Sequence, residues 1–110
     1  MYEHLNKAHL RGTVGSLDIS NVNGTTYARF SLAVSVATPE DTSILSTTWF
    51  SVVAFENENI DDQTIRSLSK GCTVDVHGRF RAVCYIDSKG NDKRIYEVIA
   101  HRLEILPAAE

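Results

Sequence analysis

The chain has 110 residues, a formal net charge of −3 and 43% hydrophobic content, which suits one globular domain, residues 1–110, and excludes two. No apolar run approaches the ~20 residues of a membrane-spanning helix, so no membrane partner is expected, and MYEHLNKAHL lacks the pattern of a secretory signal. Cys72 and Cys84 make no disulfide framework. They read as free thiols in a reducing compartment, the cytoplasm, with a single bridge between them as the alternative.

In chain order, the first predicted strand runs from Leu5 to Ile19, interrupted by Gly12 and Gly15. Ala8, Leu10 and Val14 share one face; Lys7, His9, Arg11 and Thr13 share the other. Glycines inside a strand predict a bend or a close backbone approach. NVNGTT, Asn21 to Thr26, is a turn with Asn-Gly at its centre. The second strand, Thr26 to Val36, carries Ala28, Phe30, Leu32, Val34 and Val36 on its apolar side, against Tyr27, Arg29, Ser31 and Ser35. Pro39 and its polar neighbours make Thr38 to Ser46 a loop. The third strand is TTWFSVVAF, Thr47 to Phe55. DDQTIRSLSKG, Asp61 to Gly71, is the one helical candidate. Asp61 or Asp62 caps it, Ile60, Ile65 and Leu68 form its apolar face, and Gly71 stops it. The fourth strand spans Cys72 to Asp87 and contains Gly78. Ser88 to Asp92 is a hairpin turn, and the fifth strand, KRIYEVIAHRLEIL, ends at Pro107.

Three strands, a short helix and two more strands suit an all-β domain built as a five-stranded Greek-key OB-fold barrel. The glycine-bent first and fourth strands are long enough to serve both sheets of such a barrel. Alternation then leaves an excess. In the third strand, Phe50, Val52 and Ala54 fill the core face, yet Trp49, Ser51, Val53 and Phe55 make a second face that is also largely apolar. Off-core positions elsewhere hold Tyr27 and Arg29 in strand two, and Arg79, Arg81, Val83 and Tyr85 in strand four. An OB barrel binds ligand across strands two and three and the flanking loops. Single-stranded nucleic acid asks of that surface flat rings for bases and cations for phosphates. Trp49, Phe55 and Tyr85 are the stacking candidates; Arg29, Arg79, Arg81, Lys93 and Arg94 are the phosphate candidates, joined by Lys7, Arg11 and Lys70. Each taken alone has a plainer role, an aromatic in a core or subunit contact, an arginine as a solubilising group; the shared face is what points to binding. The negative net charge does not oppose this, because many of the acids gather in ENENIDD and Glu40–Asp41, away from most of these bases.

Four segments resemble the bacterial single-stranded DNA-binding protein family: LNKAHLRGTVG, ARFSLAVS, TTWFSVVAF, and Lys70-Gly71 followed by VHGRFRAVCYIDSKGNDKRIYEVIAHRLEIL. The resemblance implies an OB-fold, homotetrameric or dimeric, that binds single-stranded DNA with little sequence preference in replication, recombination and repair. It also implies a bacterial cytoplasmic, nucleoid-associated protein that is not an enzyme. By position it assigns base stacking to Trp49, Phe55 and Tyr85, and places Lys7, Lys70, Arg81 and Lys93 at or near basic sites. Val83 and Cys84 are neutral where the family is basic, the loop around Thr38 lacks a further aromatic, and Phe50 replaces a frequent histidine. Fewer cations imply weaker binding and a shallower salt dependence. The LPAAE ending lacks the family's linker and acidic tip, so a tailless short form without tail-mediated partner recruitment is expected.

Two alternatives differ in kind: a dimer like the primosomal replication protein N, and an OB module for protein or oligosaccharide. Catalysis finds little footing. His4, His9, His77 and His101 show no metal-ligand spacing, His77 beside Asp75 reads as structural, and Cys84 has no partner marking it as a nucleophile. No metal and no cofactor are expected. The long first strand leaves an edge that a symmetric dimer would cover.

Overall fold

In the computed structural model, residues 1–108 are described; Ala109 and Glu110, the end of LPAAE, lie outside them. The elements are β1 (Ala8–Val22), β2 (Thr25–Ala37), β3 (Leu45–Phe55), α1 (Asp62–Arg66), β4 (Thr73–Ile86) and β5 (Asp92–Ile105). The strands close into a barrel in the order β1-β2-β3-β5-β4. All neighbours are antiparallel except β3 and β5, which run parallel where Val52–Ala54 meet Val98–Ala100. This is the OB barrel.

Strand β1 serves both sides of the barrel. Ala8 to Thr13 pair with β4, and Thr13 to Val22 pair with β2. A bulge between Val14 and Leu17 marks the hand-over. One extra residue flips the side-chain parity, so Ala8, Leu10 and Val14 point inward before it and Leu17 and Ile19 after it. A second bulge, unmarked by any glycine in β5, does the same there: His77 pairs with Arg102 but Gly78 with Ala100. His101 is the extra residue, so Val98 and Ala100 face the core before it, and Leu103 and Ile105 after it. Gly12 and Gly78 admit the backbones of Ala33 and Ile99, which a side chain would strike. The β1–β2 turn has Asn23 at φ 52° and Gly24 at φ 83°, the left-handed pair of a type I′ hairpin.

Leu32, Val52, Val74, Val76 and Val98 are fully buried in the barrel. Each such side chain contributes roughly 1.5–3 kcal/mol on leaving water. Ile60, Ile65 and Leu68 plug one end. The helix that carries Ile65 is shorter than Asp61–Gly71. Asp61 caps it, its Oδ1 accepting the Thr64 N–H at 2.7 Å. It stops at Arg66: the Ser67 hydroxyl joins its own N–H on the Gln63 carbonyl, at 2.7 Å, and the bonds beyond tighten to three-residue steps such as Leu68 N–H to Ile65 O at 3.2 Å. Gly71, at φ 88°, therefore ends a turn and not the helix. Its N–H donates to Val14 O at 2.8 Å, stitching that turn to β1. Cys72 and Cys84 are free thiols.

Candidate nucleic-acid interface

The register places the off-core residues in one continuous band. Across β2 and β3 the outward pairs are Tyr27–Phe55, Arg29–Val53, Ser31–Ser51 and Ala33–Trp49. Across β4 and β5 they are Arg79–Ile99, Arg81–Glu97, Val83–Ile95 and Tyr85–Lys93. The parallel pair Val53–Ile99 joins the two halves.

At one end lies an open groove of about 520 Å³, lined by Ser16, Asp18, Arg29, Ser31, Trp49 and Ser51 among others. Its shape follows from small residues. Ser31 and Ser51 alternate with core positions and leave room above them. The Ser16 N–H donates to Ser31 Oγ at 2.8 Å, fixing β1 as the groove's far wall. Trp49 lies across the sheet above Gly15, where an added Cβ would fall 2.7 Å from its ring. The glycine that bends β1 is thus also the seat of the indole. Trp49 stays 62% exposed, Tyr85 47% and Phe55 38%, which leaves each ring open to a base. Phe55 does not stand alone: Tyr27 packs against it with ring centroids 5.6 Å apart.

The middle of the band is occupied. Glu97 is fully buried although it faces outward, and two arginines from different strands close over it. Arg29 Nη1 lies 2.5 Å from Oε2; Arg81 Nη2 and Nε lie 2.5 and 2.7 Å from Oε1. Val53 beside them is also fully buried, so the second face of β3 is covered here, not bare. Asp75 makes a parallel arrangement on the β1–β4 side, where Arg11 Nη2 sits 2.9 Å from Oδ2.

The ten-odd candidates therefore separate. Trp49, Phe55, Arg29, Arg79, Arg81, Tyr85 and Lys93 share the band. Arg29 and Arg81 are partly neutralised by Glu97. Lys93 has only a 4.0 Å approach to Asp87, and among the described residues Arg79, Lys7 and Lys70 form no ion pair. Asn6 places Lys7: its side chain donates to Phe80 O at 2.7 Å and accepts the Phe80 N–H at 2.9 Å, which continues the Ala8–Gly78 register and sets Lys7 opposite Arg79. Lys70 sits in the turn that Gly71 stitches to Val14, next to Gly15. Two candidates fall elsewhere. Arg11 is engaged with Asp75, and Arg94, one residue from Lys93, points to the opposite side of its strand, opposite Cys84. Tyr27, Ser31 and Ser51 were read as outward but not counted among the binding candidates, and Glu97 escaped the sequence reading altogether. The serines share the parity of Trp49 and were open to it; Glu97 needed the β4–β5 register.

A closed OB barrel with exposed rings in line with clustered arginines defines an oligonucleotide-binding type of surface. Residues 5–106 match the model of the single-strand binding protein family, and the chain belongs to that family. Its structure is similar to one described as Plasmodium falciparum SSB complex with ssDNA, at 30% identity over 97% of this chain and 99% of that one, with a TM-score of 0.78. No curated protein matches the chain.

Proposed function

We infer that this chain binds single-stranded DNA by stacking bases on Trp49, Phe55 and Tyr85 and tracking phosphates with Arg79, Lys93, Lys7 and Lys70, with Arg29 and Arg81 as a shared, half-neutralised pair. The observation that carries this is the Trp49 ring, exposed above Gly15 and opening a groove in line with the arginines. Family membership and the likeness to a DNA-bound relative support it. Stacking is tolerant of sequence because every base offers a π face, so little sequence preference is expected. The chain acts by binding and not by catalysis, in replication, recombination and repair. Two free thiols fit a reducing compartment, and the bacterial cytoplasm, at the nucleoid, is the location we propose.

Self-association belongs to the same reading. Ala8 to Gly12 pair with β4 on one side and, among the described residues, with no strand on the other, an open edge that a second copy can extend. A homotetramer is the proposed state and a dimer the alternative; mass in solution separates them.

Titration of Trp49 fluorescence with oligo-dT tests the function. The expected result is saturable quenching at low salt, with Trp49→Ala, followed by anisotropy of a labelled oligonucleotide, losing about 1–3 kcal/mol of binding. No quenching at low salt sinks the DNA reading. Unchanged affinity in the variant sinks the stacking role.

A further inference from the structure

The outer face of β1 and β4 carries a cluster that the binding band does not use. His9 and His77 are direct cross-strand partners, and Asp75 lies two residues before His77, on the same face. Two donors two apart on one strand, with a third from its neighbour, make a three-sided set on a rigid support. No pattern local in sequence announces it, because His9 and Asp75 are 66 residues apart.

The donor atoms already converge. His9 Nε2 lies 2.8 Å from Asp75 Oδ1, and His77 Nε2 lies 3.1 Å from the same oxygen. All three donor atoms fall within 4.8 Å of one another, and the imidazoles stack with centroids 3.9 Å apart. The carboxylate is held in place from behind. Its side chain is only 8% exposed, and Arg11 takes the other oxygen through Nε at 3.1 Å and Nη2 at 2.9 Å. That leaves Oδ1 to the imidazoles. Arg102 and Glu104 of β5 pair with His77 and Asp75 and complete the charged surroundings.

We propose that His9, Asp75 and His77 bind a divalent transition-metal ion of the zinc class, with water completing its coordination. Zinc bonds of about 2.0–2.1 Å put tetrahedral neighbours about 3.3 Å apart. The observed separations approach that spacing. Both imidazoles are more than half exposed, at 59% and 51% of their side chains, so they turn toward a shared ion without disturbing the core. Two imidazoles and one carboxylate favour zinc, copper or nickel over magnesium and calcium, which prefer all-oxygen sets. Ligation uses the lone pair of each Nε2, so any proton there must leave or move to Nδ1. Arg11, bonded to the oxygen facing away from the imidazoles, acts as the outer partner that orients the carboxylate.

The test is calorimetric titration of zinc chloride into the Cys84→Ser protein, which removes the exposed thiol as a competing ligand. One ion per chain is expected. His9→Ala and His77→Ala should each weaken binding at least about tenfold, the loss typical even of a metal ligand's supporting partner, while excess magnesium should not compete. Cobalt added in place of zinc should give visible bands that both variants lose. His9→Asn and His77→Gln serve as conservative second variants, with thermal melts in chelator confirming that the fold is kept. The proposal is overturned if the His9→Ala/His77→Ala double variant binds zinc as its parent does, or if the parent shows no binding up to about 1 mM zinc. Neither outcome depends on whether the chain binds DNA.

Discussion

Glu97 and Asp75 are two buried acids on the outside of the same barrel, and the difference between them explains much of the surface. Each points away from the hydrophobic core, and each is held by basic side chains, Glu97 by Arg29 of β2 and Arg81 of β4, Asp75 by Arg11 and His9 of β1 and His77 of its own strand. Glu97 has two arginines, which carry charge at every relevant pH, and its side chain is fully enclosed. Asp75 has one arginine and two imidazoles, and all three of these are more than half exposed. The first arrangement makes a permanent platform between the two halves of the binding band. The second makes a set of donors open to exchange. A carboxylate surrounded by guanidinium groups is a structural part; one that shares an oxygen with two imidazoles is a ligand set.

Truncation separates the two most strongly. Glu97→Ala leaves Arg29 and Arg81 facing each other over Val53; both are partly exposed and regain some water, so the loss should fall toward the lower end of the about 3–5 kcal/mol of a broken buried pair. Asp75→Ala should cost less, about 1.5–3 kcal/mol, the net worth of a hydrogen bond to a charged group when the partners regain water. Urea denaturation of both variants checks the order; equal losses would erase the distinction. The next effect falls on binding. Gly15→Val pushes a side chain into the seat of Trp49 and should remove much of the stacking contribution of about 1–3 kcal/mol. His9→Ala, on the Asp75 side, should leave oligo-dT affinity unaltered. Anisotropy of a labelled oligonucleotide reads both, and a matching loss in His9→Ala would mean that DNA crosses the Asp75 side too.

The two sites also differ in how far the sequence reveals them. Alternation over Thr47 to Phe55 identified Trp49 and Phe55 as outward, and the parity of Arg79, Arg81 and Tyr85 survives because β4 pairs regularly with β5 from Gly78 to Ile86. The barrel was legible for the same reason. Parity broke at the bulges, at Val14–Leu17 and at His101, since an inserted residue leaves no fixed signature in composition. Long-range partners were the other blind spot. Glu97 sits 68 residues from Arg29, and only the closure of β2–β3–β5–β4 brings them together. The same holds for His9 and Asp75, which sequence spacing presented as unrelated. Arg11 and Arg94 show the converse: the sequence offered them as phosphate candidates, and the fold engages one with Asp75 and turns the other away from Lys93.

A subtler variant asks what Glu97 does to DNA binding. Glu97→Gln keeps the shape and removes the charge that offsets Arg29 and Arg81. Each added net cation that meets a phosphate steepens the dependence of log affinity on log salt by about 0.7 for a single strand. The variant should therefore bind oligo-dT more tightly at low salt, with a slope steeper by about that amount, while melting at a lower temperature. Titrations at two salt concentrations read the slope. An unchanged slope would mean that Arg29 and Arg81 serve only the fold, leaving Arg79, Lys93, Lys7 and Lys70 to meet the phosphates.

An exposed acid sets the baseline for both buried ones. Asp62, on α1, has a side chain that is 46% exposed, yet its pKa is lowered, first by the hydrogen bond from the buried Thr26 hydroxyl and then by that from Arg66. A carboxyl whose folded pKa is depressed contributes stability that is present above its unfolded value, about pH 4, and is lost as pH falls through the lower folded value. Asp62→Asn should therefore reduce stability slightly at neutral pH, and the difference from the parent should shrink as acid titration protonates Asp62 in the parent. Solvent screens an exposed group, so this is the smallest of the expected effects. Thermal melts in a non-coordinating buffer between neutrality and about pH 3 would show the two curves converging, because the variant has no charge there to lose. Curves that stay parallel would mean that the Thr26 contact holds α1 by shape alone, and that charge matters on this barrel only where Glu97 and Asp75 are shut away from water.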